Sequence, residues 1–98
     1  MSEQEKHIYQ QIIEISRRYK VKKIVLFGSR ARKTNTIKSD IDLAIYGCKN
    51  FRDLYFDLNE NVQTLLEFDI IDMNRTNLSK ELIEEIERDG VILYEEIS

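Results

Sequence analysis

Ile8, Ile12, Ile15 and Tyr19 recur at helical intervals, and Ser2 with Glu5 has the spacing of a capping box, so residues 3 to 19 read as an amphipathic helix. The period then changes. Val21 to Phe27 is β-branched and aromatic and stops at Gly28, and Ile41 to Tyr46 is a second strand stopped by Gly47. Phe51, Leu54, Tyr55, Leu58, Val62 and Leu65 mark a second helix, and Phe68 to Met73 reads as a third strand. Leu78, Leu82, Ile83 and Ile86 form a last helical stripe, for which Gly90 is expected as a left-handed cap before a short strand, Val91 to Tyr94. The order of elements predicts an α/β (α+β) fold, a small parallel or mixed sheet with helices packed on it, in a single domain over 1-98.

The loop of roughly residues 28 to 40 is long for a hairpin connection and has no strong apolar pattern, which marks it as functional. It leads into a pair of aspartates. Alternation puts Asp40, Asp42 and Ala44 on one side of the second strand and Ile41, Leu43 and Ile45 on the other, with the two aspartate Cβ atoms about 7 Å apart. Carboxylates converging at a strand end repel each other unless a cation lies between them, and hard divalent ions such as Mg²⁺ take oxygen ligands. An Asp-x-Asp alone is more often a pair of solvated side chains. The preceding Gly28-Ser29 strengthens the metal reading, because glycine allows close backbone approach to a ligand and serine offers an N–H and a hydroxyl at the start of a short helical turn, an arrangement suited to anions. The Walker pattern of Gly-x-x-x-x-Gly-Lys-Ser/Thr is absent.

Chemistry that uses two metal ions about 3.5 to 4 Å apart calls for a third carboxylate. On the third strand Asp69 and Asp72 point to opposite faces, so only one can join the pair. Asp69 is the choice, since it interrupts an apolar run where an unpaired charge is costly, whereas Asp72 lies where it can cap the Asn74-Arg75-Thr76 turn.

Composition changes this picture at one point. The net charge of -3 conceals nine cations and no acid between Arg17 and Ser39, whereas most of the 18 acids lie from Asp40 onward. Arg17, Arg18, Lys20, Lys22 and Lys23 read as a solvated face; Arg30, Arg32, Lys33 and Lys38 lie beside Gly-Ser and the aspartates, where a phosphate chain would use them. A chain acidic overall argues against nucleic acid as the partner. No apolar stretch is long enough to span a bilayer and the N-terminal MSEQEKH lacks the core of a signal peptide, so a cytoplasmic protein is expected. Cys48, the only cysteine, and His7, the only histidine, read as a packed small residue and an exposed helix residue. Tyr19, Tyr46, Tyr55 and Tyr94 read as packing residues, with Tyr46 the one tyrosine close enough in sequence to the aspartates to meet a nucleobase.

Gly28-Ser29-x-Ala31-Arg32 followed by Ser39-Asp40-Ile41-Asp42-Leu43 resembles the signature of the nucleotidyltransferase superfamily that includes DNA polymerase beta, and the short chain most resembles its minimal nucleotidyltransferases of the MNT antitoxin type. Lys33 departs from the pattern, standing where many relatives have glycine. The resemblance implies the small mixed sheet of the nucleotidyltransferase fold. It implies that Asp40 and Asp42 hold two Mg²⁺ ions, that Asp69 binds one of them and helps deprotonate an acceptor hydroxyl, and that Gly28, Ser29 and Ser39, with Arg30 and Arg32 as phosphate neighbours, bind ATP. The implied reaction moves AMP from ATP to a hydroxyl, with a tyrosine of a HEPN-type toxin as acceptor and the chain as antitoxin. A catalytically idle module that neutralises its partner by contact is the alternative. Some apolar residues of the second and last helices are candidates for a partner or homo-oligomer surface, although most belong to the core.

Overall fold

The computed structural model describes residues 2–97. Helix α1 (Glu3–Arg17) begins at the capping box: the Glu5 N–H donates to the Ser2 hydroxyl at 3.1 Å, and the Glu5 carboxylate accepts from the Ser2 N–H at 3.4 Å. Strand β1 (Lys23–Phe27) runs directly into a one-turn helix, α2 (Gly28–Arg32), within the long loop. Strand β2 (Ile41–Tyr46), helix α3 (Phe51–Asn61), strand β3 (Phe68–Asp72), helix α4 (Lys80–Asp89) and strand β4 (Val91–Glu95) follow.

The four strands form one mixed sheet in the order β3-β2-β1-β4. β1 is antiparallel to both β2 and β4, and β2 is parallel to β3, as the crossover through α3 requires. The two faces are packed differently. Ile24, Leu26, Ile41, Leu43, Ile45 and Ile70 meet α1 and α3 in the larger cluster, with Ile12, Leu54 and Leu58 fully buried. Val25, Phe27 and Ala44 meet Ile86 and Leu82 of α4 on the opposite face. Each fully buried aliphatic side chain of this kind stabilises the fold by roughly 1.5–3 kcal/mol. The helices thus fix the sheet from both sides, and they leave its β2–β3 end, where the aspartates lie, the less covered.

Several boundaries differ from the sequence pattern. α1 stops at Arg17, because Lys20 takes a positive φ of 55° and turns the chain into the sheet; Val21 is buried without being in the strand. α3 ends at Asn61, where Val62 is extended, so the apolar spacing that reached Leu65 ran past the helix and Leu65 is fully exposed. Gly90 is not a left-handed cap: its φ is -64°. Glycine is needed there for room, since a Cβ would lie 2.3 Å from the Ile86 carbonyl oxygen and 2.5 Å from Val25 Cγ1.

The left-handed cap occurs instead at Lys33, with φ 62° and ψ 32°, where its N–H closes α2 on the Ser29 carbonyl. This is the position at which the resemblance leads one to expect glycine. A side chain in that region is strained by about 1–2 kcal/mol, offset in part by the greater entropy that glycine gives the unfolded chain. Lys33→Gly is therefore expected to stabilise the protein by roughly 0.5–1 kcal/mol, read as a higher denaturant midpoint at unchanged slope.

Candidate functional site

The site is assembled by strand register. In the antiparallel β1–β2 pair Asp42 stands opposite Phe27, and in the parallel β2–β3 pair it stands beside Asp69. Leu43 and Ile70, the next pair along, belong to the α1–α3 core, while Ala44 and Ile71 belong to the α4 side. Asp42 and Asp69 therefore share the α4 face, and alternation puts Asp40 on that face one step before the strand. Asp69, in an apolar run that suggests burial, is instead exposed on the edge strand β3; register, not burial, brings it to Asp42. Asp72 behaves as the pattern suggested, its Oδ1 accepting from the Asn74 N–H at 3.0 Å in the following turn.

Gly28 closes the site from the β1 side. Its φ is +73°, and a Cβ on it would lie 2.0 Å from Asp42 Oδ2, so the Asp42 carboxylate occupies the space any side chain at position 28 would fill. Asp42 is half-buried, and its carboxyl is pushed from the ordinary 3.8 up to about 6 by desolvation first, then by the charges of Asp69, Asp40 and Glu85, with Arg32 opposing. Acidic neighbours on three elements thus converge on one partly desolvated carboxylate. Among the described residues no group of three or more His, Cys, Asp or Glu side chains is drawn close enough to hold a metal ion, so the three aspartates are not the tight cluster that the metal reading implied. An all-oxygen donor set on one face, with like charges raising the cost of its central member, still fits a hard divalent cation better than any other occupant.

The cations divide. Arg32, on α2, is bound to Glu85 at 3.3 Å and lies 4.0 Å from Asp89, both on α4, and stays two-fifths exposed beside the carboxylates. Arg30 is not brought to them. Its side chain is buried and directed to the α1 side, where Nε and Nη2 donate to the Ser39 carbonyl at 3.1 and 3.0 Å, Nη2 to the Ile37 carbonyl at 3.4 Å, and Nη1 to Glu5 Oε2 at 3.0 Å. With four of its five N–H groups engaged in this way, it is turned away from the carboxylates and toward the α1 side. Ser39 is likewise turned inward to its own loop, its hydroxyl accepting from the Thr36 N–H at 2.9 Å. Ser29 opens α2 half-exposed, and its carbonyl accepts from the Thr34 N–H at 2.9 Å. Tyr46 lies at the other end of β2, roughly 13 Å along the strand from Asp42, under the Lys23 ammonium and out of reach of the site. A cavity of about 860 Å³ lies on the α1 side, between Glu5, Ile8, Arg30, Ile37 and Leu66, and includes none of the three aspartates. The carboxylate site is an open surface.

The fold thus sets carboxylates on neighbouring strands against a Gly-Ser turn. The family model for polymerase beta-type nucleotidyltransferases matches residues 10–97, and the chain belongs to that family. Among solved structures, a toxin–antitoxin complex crystallised with AMP-PNP contains a chain 25% identical, with a TM-score of 0.70 over 90% of this chain and 73% of that one. A mutant of the MntA–HpeT toxin–antitoxin is 26% identical, with a TM-score of 0.67 over 89% of this chain and 72% of that one. The complex of a tri-AMPylated HEPN toxin with its MNT antitoxin from Shewanella oneidensis shares the fold at 23% identity, with a TM-score of 0.64 over 91% of this chain and 71% of that one. No curated protein matches the sequence.

Glu85 was not singled out from the sequence, where it is one of many acids on α4; only the packing of α4 against the sheet shows it beside Arg32 and within the field of Asp42. The raised Asp42 carboxyl has a consequence for stability. The folded state holds this proton more tightly than the unfolded chain between pH 3.8 and about 6, so unfolding releases it there and the Asp42 contribution to stability falls as pH rises through that window. Asp42→Asn is expected to raise the melting temperature of the metal-free protein at pH 7.5 and to leave it nearly unchanged at pH 4, as followed by circular dichroism.

Proposed function

We propose that this protein is a Mg²⁺-dependent nucleotidyltransferase that moves AMP from ATP to a tyrosine hydroxyl of a HEPN-type toxin and so acts as its antitoxin. The observation that carries the reading is the in-register Asp42–Asp69 pair on one face, with the bare Gly28 backbone against Asp42, in a chain of the polymerase beta nucleotidyltransferase family. Support for the acceptor comes from the fold neighbours, one a toxin–antitoxin with AMP-PNP and one an MNT antitoxin bound to a tri-AMPylated HEPN toxin. Such a reaction belongs in the cytoplasm, where ATP is abundant, and no helix among the described residues is long and apolar enough to cross a membrane.

In this reading Asp40 and Asp42 hold the ions, with Asp69 reaching one of them. Two Mg²⁺ ions, when bound, would neutralise the carboxylates and the triphosphate and polarise the phosphorus to be attacked. The Gly28-Ser29 turn holds the phosphate chain at the end of β1, where a side chain on residue 28 would displace both the ligand and Asp42. Arg32 exchanges Glu85 for a phosphate oxygen, a favourable swap for an exposed guanidinium. The acceptor oxygen forms a bond to the α-phosphorus in line with the departing pyrophosphate, the bond between the α-phosphorus and the bridging oxygen breaks, and the hydroxyl proton passes to Asp69. Because the site is open on the α4 side, the partner supplies the acceptor and covers the nucleotide.

Incubation with ATP labelled in the α-phosphate, Mg²⁺ and the HEPN-type protein is expected to label a tyrosine of that protein, and Asp42→Asn to abolish the label while the far-ultraviolet spectrum is unchanged. Label transfer by Asp42→Asn would remove the role assigned to the carboxylates. If the Asp40→Asn, Asp42→Asn double variant still neutralised the toxin, contact alone would be the mechanism.

A further inference from the structure

The family signature draws attention to Arg30 as a cation beside the Gly-Ser turn, yet its side chain is 3% exposed and points away from the carboxylates. What it holds is backbone. The carbonyl it grips from two nitrogens belongs to Ser39, the residue before Asp40, and a third contact reaches the Ile37 carbonyl two residues earlier. The far side of the guanidinium is fixed by Glu5, which also closes the α1 capping box and accepts from the Tyr9 hydroxyl at 3.3 Å. Burial opposes the charge on Glu5, but the Ser2 N–H and the guanidinium together hold its carboxyl below the ordinary carboxylate value. The network thus runs from the N-terminal turn of α1, through one buried cation, to the peptide that aims Asp40.

We propose that Arg30 is a positioning residue that sets the direction of Asp40 relative to Asp42, with Glu5 holding Arg30 in place, so that the first turn of α1 is part of the framework of the site. Asp40 stands just outside β2, with no strand partner of its own in the β1–β2 register; its backbone is tied on the strand side by the Ile41 N–H on the Glu67 carbonyl at 2.9 Å and on the loop side by the Ser39 carbonyl that Arg30 holds. Three donors of a planar fork on two carbonyls fix both distance and orientation, which a lysine ammonium cannot do. The metal role of Asp40 rests on the function proposed above, but the tethering of its backbone does not.

The test compares Arg30→Lys, Glu5→Ala, Glu5→Gln and Ser2→Ala by three readouts: Mn²⁺ affinity by electron paramagnetic resonance, tripolyphosphate affinity by calorimetry, and amide hydrogen exchange. Arg30→Lys is expected to speed exchange of the Ser39 and Ile41 amides by about tenfold relative to β3 and α4, and to weaken Mn²⁺ by a similar factor, with tripolyphosphate binding unchanged. Glu5→Ala is expected to do the same, Glu5→Gln to restore most of the protection, and Ser2→Ala, which removes the cap hydroxyl and its bond to Glu5 Oε1 but leaves Glu5 Oε2 on Arg30, to leave residues 39–41 as they were. Weakened tripolyphosphate binding in Arg30→Lys with Mn²⁺ unaffected would overturn the proposal and make Arg30 a phosphate ligand. Unchanged exchange at Ser39 and Ile41 in Arg30→Lys and Glu5→Ala would also overturn it. Absence of Mn²⁺ binding by the unaltered protein would count against the transferase reading, and the exchange comparison would still decide the role of Arg30.

Discussion

β2 is pinned on both sides, antiparallel to β1 and parallel to β3, and everything at the site depends on that double registration. A slip of one residue against either neighbour would turn Asp42 into the apolar face and expose Leu43, which is completely buried. The core therefore enforces the site. Ile41, Leu43 and Ile45 lock the strand from the α1–α3 side, and Ala44 gives α4 the close approach that leaves the aspartates at the open end. The same register puts a bare α-carbon against the Asp42 carboxylate, so Gly28 is a steric requirement of the pair and not only a flexible turn residue.

Much of this was legible in the sequence because the local signals were strong. The capping box at Ser2 and Glu5, the β2 limits at Ile41 and Tyr46, and the assignment of Asp72 to a turn all follow from spacing and short-range chemistry, and the structure agrees with them. The alternation of Asp40 and Asp42 against Ile41 and Leu43 also determined which side would be buried. What could not be read was whatever depended on a distant neighbour. Leu65 continued the spacing of α3 but had nothing to pack on, and Gly90 looked like a cap when its constraint comes from Val25 on another strand. Asp69 was chosen for a burial it does not have, and the parallel pairing that justifies it is invisible without the crossover.

Arg30 and Arg32 make the same point more sharply. Two arginines in one short stretch carry identical local information, yet one is sealed between α1 and the Ser39 carbonyl and the other stays half in solvent against α4. Two residues apart on a helix is about 200° around its axis, so positions 30 and 32 of this one-turn helix face opposite layers of the fold, which sends one side chain to the framework and the other to the surface. Composition would count both as basic residues available to an anion. Burial separates them, because a guanidinium withdrawn from water must already have its acceptors in place.

Asp42 lies in the negative field of Asp40, Asp69 and Glu85, opposed by Arg32 on α2, while Lys33 and Lys38 are exposed on the loop that follows. Charges of both signs around an open shelf give an approaching anion an uneven field, attractive at the basic loop and repulsive at the carboxylates. The shelf has a polarity, and since exposed charges are screened over roughly 10 Å at 0.1 M salt, that guidance is a property of the encounter and fades as ionic strength rises.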